Sequence, residues 1–258
     1  MPLLLRRPVP PIAATATAAR IATGCAPLDA LLGGGLEAGA LTEVHGEAGS
    51  GKTNLCLQLV REVALAGGRT LYLDSEGLSG ERLAQISGPR LAEVEARLLV
   101  ERLLEPKDQA RSVARAARIA AQVRDVRLVV LDSATLLYRV QLADGEGLRE
   151  RRALLRQLHG LHTVARERGV AVVMTNQVFG IPGEEGVQAL GGHALRHLAA
   201  CVLRLERVSE APGRREAVVV KHRSRPEGLR ATFRLTDQGL AADFAGNRAD
   251  HAPNLQNG

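Results

Sequence analysis

The chain has 258 residues, 45% of them hydrophobic, enough for one large domain with a substantial core and too apolar for a disorder-dominated chain. Its 34 lysines and arginines against 28 acids give a formal net charge of +6, which favours a polyanionic partner such as nucleic acid. Cys25, Cys56 and Cys201 are widely separated and form no CxxC pair, pointing to neither a zinc site nor a disulfide framework but to a reducing compartment, and no run reaches membrane-span length.

Residues 1–28 carry arginines and no acid, a charge pattern shared with organelle transit peptides, but Pro2, Pro8, Pro10 and Pro11 would interrupt an amphipathic helix there. The expectation is a flexible arm over residues 1–20, a core over 21–243 and a polar, aperiodic tail over 244–258. From about residue 40, short β-branched or apolar runs alternate with longer helical stretches, the pattern of an α/β fold with a parallel sheet covered by helices. The strand candidates are LTEVH (41–45), TLYLD (70–74), LLVERL (98–103), RLVVLD (127–132) and VAVVMT (170–175).

After the first of these, HGEAGSGKTN places Gly46, Gly51, Lys52 and Thr53 in the pattern G-x-x-x-x-G-K-[ST], opening a helix with Leu55, Leu59 and Val63 on one face. Glycines let successive backbone N–H groups of Gly46, Glu47, Ala48, Gly49, Ser50, Gly51 and Asn54 wrap phosphate oxygens, and the helix N-terminus adds positive potential. In this pattern Lys52 reaches the β- and γ-phosphates and Thr53 ligates Mg²⁺. Only Lys52, Lys107 and Lys221 are lysines in a chain with 31 arginines, which marks Lys52 as a place where a compact, flexible point charge is needed.

LYLDSEG ends the next strand with Asp74 and Glu76 at the ligand-facing edge of an open α/β sheet. Glu76 is the candidate base that deprotonates or orients water; the alternative is that both acids cap the following helix. RLVVLDS supplies Asp132, the carboxylate a Walker-type site needs beside its metal, followed by Ser133. MTNQV brings Asn176 and Gln177 to the same edge, either toward the γ-phosphate or as buried amides satisfying loop backbone.

Downstream, 200–208, 215–222 and 231–236 read as strands without long helices between them, an antiparallel extension of the sheet. VVVKHRSRPEG sets Lys221, Arg223 and Arg225 at alternating positions on one strand face, either a solvated surface or a cationic finger for a phosphate in a neighbouring subunit. His193 and His197 have the i, i+4 spacing of a metal pair, but no third ligand is visible and an ordinary surface position suffices. Gly191-Gly192 before them reads as a flexible connection.

Taken together and in this order, TGCAPLDALLGGGLEAGALTEVHGEAGSGKTNLCLQL, LYLDSEGLSGERL, LVVLDSATLLYR, GVAVVMTNQV and GGHALRHLAACVLRLER resemble the RecA/RadA recombinase family across roughly residues 20 to 240. KHRSRPEG and FRLTDQGL bring the likeness nearest to its archaeal RadB branch, paralogues made of the ATPase core alone. The resemblance implies a RecA-like P-loop NTPase core, a mostly parallel twisted sheet flanked by helices with an antiparallel C-terminal extension. It implies ATP and Mg²⁺ at Lys52, Thr53 and Asp132, Glu76 as catalytic glutamate and Gln177 as γ-phosphate sensor. Lys221 and Arg223 fall where bacterial RecA carries a pair of trans-acting lysines.

The chain also departs from the recombinases. Only about twenty residues precede the core, where they have a helical DNA-binding domain, and no phenylalanine occurs before Phe179 to supply their Phe-x-x-Ala polymerisation segment. The first DNA loop, RVQLADGEGLRERR (139–152), keeps Arg139, Arg149, Arg151 and Arg152 as candidate DNA contacts but is acidic in its middle. The second, VFGIPGEEGVQAL (178–190), has two glutamates, no lysine or arginine, and Phe179 as the one aromatic in either loop, a poor electrostatic and stacking track for a single strand.

The expected function is an accessory protein of homologous recombination and DNA repair that binds ATP and DNA, single-stranded or branched, and hydrolyses ATP weakly. It would assist a recombinase paralogue or a junction nuclease, be cytoplasmic and nucleoid-associated, form homo-oligomers if Lys221 and Arg223 act in trans, and engage no membrane. The alternatives are a true strand-exchange recombinase with an unusual polymer interface, and a RecA-fold ATPase switch acting on protein partners.

Overall fold

The structure, a computed structural model, describes residues 19–139, 147–180, 187–189, 193–208 and 211–243; the side chains of residues 179, 180, 187–189, 193 and 194 lie outside the description. The arm to residue 18, the centre of the first loop, Glu184 and Glu185 of the second, Gly191-Gly192 and the tail from 244 therefore lie outside the described residues, and so does half of the His193–His197 pair.

Among the described residues the elements run β1 (Arg20–Ile21), α1 (Ala26–Leu32), β2 (Leu36–Glu37), β3 (Leu41–Gly46), α2 (Lys52–Leu65), β4 (Arg69–Asp74), α3 (Gly80–Ser87), α4 (Leu91–Glu95), β5 (Leu98–Arg102), α5 (Pro106–Gln122) and β6 (Val126–Asp132). They continue with α6 (Leu148–Arg168), β7 (Ala171–Gly180), β8 (Val187–Ala189), α7 (His193–Leu198), β9 (Cys201–Arg207), β10 (Arg214–His222), β11 (Arg230–Thr236) and β12 (Gly239–Ala242). One large sheet has the strand order β12-β11-β10-β9-β3-β7-β6-β4-β5, with β8 attached to β7. β9, β3, β7, β6, β4 and β5 are mutually parallel, whereas β9 to β12 are joined antiparallel, as the strand spacing predicts.

The central strands are apolar on both faces because both faces are covered. One face carries Val44, Tyr72, Leu128, Val130, Val173 and Leu203 under α1, α2, α3 and α4; the other carries Leu41, Leu71, Val129, Val172, Met174 and Val202 under α5, α6 and α7. Helix ends obey local chemistry. Ser79 caps α3 by accepting from the Arg82 N–H, Glu105 and Asp108 form a capping box on α5, and α6 ends at Gly169 in the left-handed conformation.

The expected strands lie within a residue of the observed ones except the last of the five, which runs on to Gly180 because its extension pairs with β8. The strands that the sequence did not announce, β1, β2, β8 and β12, are two to four residues long and exist only through their partners. Arg20, assigned to the arm, pairs with Glu37 in register and donates to the carbonyls of Leu32 and Gly35.

Candidate functional site

β3, β7, β6 and β4 are neighbours and parallel, so their C-terminal ends bring the phosphate loop, Gln177, Asp132 and Glu76 to one edge from four places in the chain. Gly46 is in register with Gln177, and Asp74 with Asp132. The loop 46–51 passes directly into α2, so the helix N-terminus faces the loop's bowl. Gly46 has no room for a side chain: a Cβ there would sit 2.2 Å from the Leu205 carbonyl oxygen and 2.7 Å from Ser50 Oγ. Gly51 has φ 108°, in the region that glycine tolerates.

Lys52 is buried in this bowl, its Nζ donating to the carbonyls of Gly46 at 2.8 Å and Glu47 at 2.9 Å. Burial lowers its pKa from the usual lysine value, and the negative charges of Glu76 and Asp132 partly oppose that shift. Such a desolvated ammonium ringed by carbonyl dipoles suits a multiply charged anion. The fit to a nucleotide's phosphates rests on this cradle and on the absence of space at Gly46.

Asp132 is buried and held at both oxygens. Tyr72 donates its hydroxyl to Oδ2 at 2.6 Å, and Thr175 donates to Oδ1. Burial, with the charge of Asp132 next, drives the Tyr72 hydroxyl well above the ordinary tyrosine range, so it remains a donor. Neither Tyr72 nor Thr175 was picked out from sequence. The period-two alternation of LYLD and VVMT sets each on a definite sheet face, but the pairing to Asp132 is a tertiary fact.

Glu76 is exposed and accepts from Gln177 Nε2 at 2.8 Å, so the candidate base and the candidate sensor touch. Asp74 does something else: its carboxylate accepts from the N–H groups of Gly77 at 2.9 Å and Leu78 at 2.8 Å, closing the turn before α3. The capping alternative therefore describes Asp74, while the helix cap proper is Ser79.

Of the two roles open to Asn176, the structure has the buried amide and not the γ-phosphate contact. Strand alternation turns it away from Gln177 into the core, where it accepts from Thr135 Oγ1 at 2.7 Å and donates to Glu43 Oε1 at 3.0 Å. His45 Nδ1 lies 3.9 Å from the same Glu43 oxygen, and both residues are buried. Burial, then the charges of Arg196, Arg204 and Lys52, push the His45 pKa down to about 4, while burial raises that of Glu43.

Because the folded His45 value lies below the unfolded one, neutral His45 supports the fold above about pH 6.5, and that support is lost as pH falls toward 4. Glu43, with a raised value, has the opposite sign: its protonation in the folded state offsets part of the loss. Urea unfolding at pH 7.5 and pH 4.5 is expected to show His45→Gln losing less stability on acidification than wild type, by up to about 3 kcal/mol. Equal losses would leave His45 without this role.

Lys221, Arg223 and Arg225 do not share one strand face. A register shift between Val219 and Lys221 and the end of β10 at His222 break the alternation. Lys221 Nζ donates to the carbonyls of Arg196 and Ala199 at 2.7 Å each, around the C-terminal end of α7. Arg223 pairs with Glu37, and Arg225 reaches the Ala30 carbonyl at 3.3 Å. β10 runs antiparallel to β9, so all three lie at the sheet edge opposite the chain's own phosphate loop. The basic residues beside that loop are ones the sequence did not single out. Arg215 Nε donates to Gly49 O at 3.0 Å, and Arg82 donates to Asn54 Oδ1 and to the carbonyls of Thr236 and Asp237.

Arg149, Arg151 and Arg152 occupy the first turns of α6, with Glu150 the one acid in the first turn, and Arg139 closes the described stretch before the first loop. Cations at a helix N-terminus oppose the helix dipole, so this placement does not serve the helix. No group of three or more His, Cys, Asp or Glu that could hold a metal occurs among the described residues, and no helix among them is long and apolar enough to cross a membrane.

The Rad51 family model matches residues 15–243. "DNA repair and recombination protein RadB" of Methanococcoides burtonii is 38% identical over 222 residues, covering 86% of this chain and 97% of the relative. The RadB protein of Archaeoglobus fulgidus is 38% identical over 85% of this chain and 97% of its own length. Among solved structures, one described as the crystal structure of the RadB recombinase superposes with a TM-score of 0.74 at 35% identity, covering 86% of this chain and 99% of that one.

Proposed function

Because the chain belongs to the Rad51 family, in which it is similar to archaeal RadB, we propose that it is an ATP- and DNA-binding accessory protein of homologous recombination and DNA repair. In this reading residues 21–243 form the RecA-like ATPase core. The backbone N–H groups of the loop from Gly46 to Asn54 would hold the phosphates, Lys52, now on the Gly46 and Glu47 carbonyls, would supply a cation to the β- and γ-phosphate oxygens, and Thr53 and Asp132 would hold Mg²⁺. Bound ATP with Mg²⁺ would supply a phosphoanhydride whose developing charge is neutralised at this edge. Tyr72 and Thr175 fix the Asp132 carboxylate, and Glu76 takes the proton of the attacking water.

The observation that carries the switch-like part of the reading is the hydrogen bond from Gln177 to Glu76. The amide of the sensor occupies an oxygen of the carboxylate that would otherwise face the attacking water, and Gln177 stands in β7 just before the second loop. Nucleotide state is thereby tied to the position of a segment whose sequence has no lysine or arginine to track a phosphate backbone. Arg139, Arg149, Arg151 and Arg152 supply the DNA contact instead. Lys221 and Arg223, remote from their own phosphate loop, serve a neighbouring protomer's nucleotide if the protein assembles, and the protein acts beside a recombinase paralogue or a junction nuclease.

Steady-state turnover tests the reading. ATP hydrolysis is expected on the order of 10⁻³ s⁻¹, the pace of P-loop enzymes lacking a trans-acting cation, with little stimulation by single-stranded DNA. Efficient ATP-dependent strand exchange by the purified protein would instead make it a recombinase in its own right.

A further inference from the structure

The edge of the sheet opposite the phosphate loop carries a row of arginines of which only Arg223 has been given a part above. Arg69 begins β4, Arg124 and Arg127 flank the start of β6, Arg166 and Arg168 end α6 before β7, and Arg223 lies beside Ala200 at the start of β9. All six are exposed. Two hollows flank the end of α6, one of about 370 Å³ lined by Arg124, Arg127 and Arg168, the other of about 470 Å³ lined by Arg166 and Arg223.

Acids along this edge do not cancel the charge. Asp125 pairs with Arg69, Glu37 with Arg223, and Glu167 is exposed between Arg166 and Arg168. Arg124, Arg127, Arg166 and Arg168 have no ion-pair partner among the described residues. Arg166 and Arg168 do complement the α6 dipole, but Arg124 and Arg127 follow α5 and open β6, where no comparable local demand exists.

We propose that this row is a second DNA-binding surface, one that takes the phosphodiester backbone of duplex DNA. From Arg69 on β4 to Arg223 beside β9 are four strand spacings, about 19 Å at about 4.8 Å each. That is about half a helical turn of duplex. Among the described residues no Phe or Tyr side chain lines either hollow, and the single ring of His162 gives successive unstacked bases no continuous platform, whereas a duplex presents phosphates with its bases turned inward. The row is also far from the first-loop arginines: α6, 21 residues and about 30 Å long, separates Arg149, Arg151 and Arg152 from Arg166 and Arg168. One molecule can therefore hold a single strand at one edge and a duplex at the other, the pair of surfaces a branched DNA requires.

The proposal rests on the reading that the protein engages DNA, and two separate arms keep the failures apart. Fluorescence anisotropy would follow a duplex of roughly two helical turns and a single strand of equal length across a salt series. The quadruple variant Arg124→Ser, Arg127→Ser, Arg166→Ser, Arg168→Ser is expected to lose about 10- to 100-fold in duplex affinity, with the salt slope falling by about 3 to 4. Single-strand binding and ATP-induced thermal shift stay as in wild type. The fourfold Arg→Lys variant is expected to bind duplex nearly as wild type, since a phosphate accepts either cation, and Arg124→Ser with Arg127→Ser alone, away from the helix end, gives an intermediate loss.

An unchanged duplex slope, parallel loss of single-strand binding, no duplex binding by wild type, or tenfold preference for an RNA duplex of the same length would each overturn the assignment. Loss of single-strand binding in Arg149→Ser, Arg151→Ser, Arg152→Ser, with duplex binding kept, reports on the loop reading alone.

Discussion

Glu76→Gln is expected to lower ATP turnover by about 10²- to 10⁴-fold, the contribution of a positioned general base, while ATP affinity changes little. Glutamine keeps the shape and can still hydrogen-bond Gln177, so the edge stays folded, but it cannot take a proton from water. Glu76 is exposed and its carboxylate accepts from Gln177, which sets it beside the candidate sensor and in reach of a water molecule. Asp74 is spent on the Gly77 and Leu78 N–H groups, and Asp132 on Tyr72 and Thr175. Single-turnover hydrolysis with saturating ATP separates chemistry from binding. Wild-type rates in the variant would return Glu76 to the role of a loop acid. Gln177→Ala provides the complementary measurement: freeing the carboxylate is expected to change turnover before it changes ATP binding.

For Lys52→Ala the expected loss is in binding itself. Two charge-assisted hydrogen bonds to phosphate at about 1.5–3 kcal/mol each correspond to a fall in ATP affinity of about 10²- to 10⁴-fold. The apo protein should not suffer. Burial lowers the Lys52 pKa, so its charge is disfavoured in the folded state, and removing it costs only the bonds to Gly46 and Glu47. Differential scanning fluorimetry therefore gives a clear pattern, an apo melting temperature near wild type with the ATP-dependent upward shift abolished. A retained shift would move nucleotide binding away from this loop. A collapsed apo protein would show that Lys52 holds the bowl together.

The gathering of the candidate site segments at one edge was legible because each is written locally. A glycine pattern between a β-branched strand and an amphipathic helix states its own geometry, and an acid after VVL or YL states a strand end. Four such segments, 46–54, 74–76, 132 and 177, belong together once the strands alternate with helices, since parallel strands put all their C-terminal ends on one side. The same local logic left the role of Asn176 open and misjudged the Lys221–Arg225 run. For Asn176 the question is which face of a two-sided buried strand it occupies, and the apolar sequence around it is the same on both faces. For Lys221, Arg223 and Arg225 the alternation assumed a straight strand, and the register shift after Val219 breaks it.

By itself the sequence determined the α/β class, the antiparallel extension and the residues of the phosphate loop, because propensity, period and turn chemistry act over a few neighbouring residues. Tertiary structure alone decided which partners those residues have: Tyr72 and Thr175 on Asp132, Gln177 on Glu76, Arg215 on Gly49, and the arginines of four separate segments along the far edge. Such pairings join positions tens to more than a hundred residues apart. They follow from strand order, which is set by how the whole chain covers both faces of its sheet, and no local pattern encodes it.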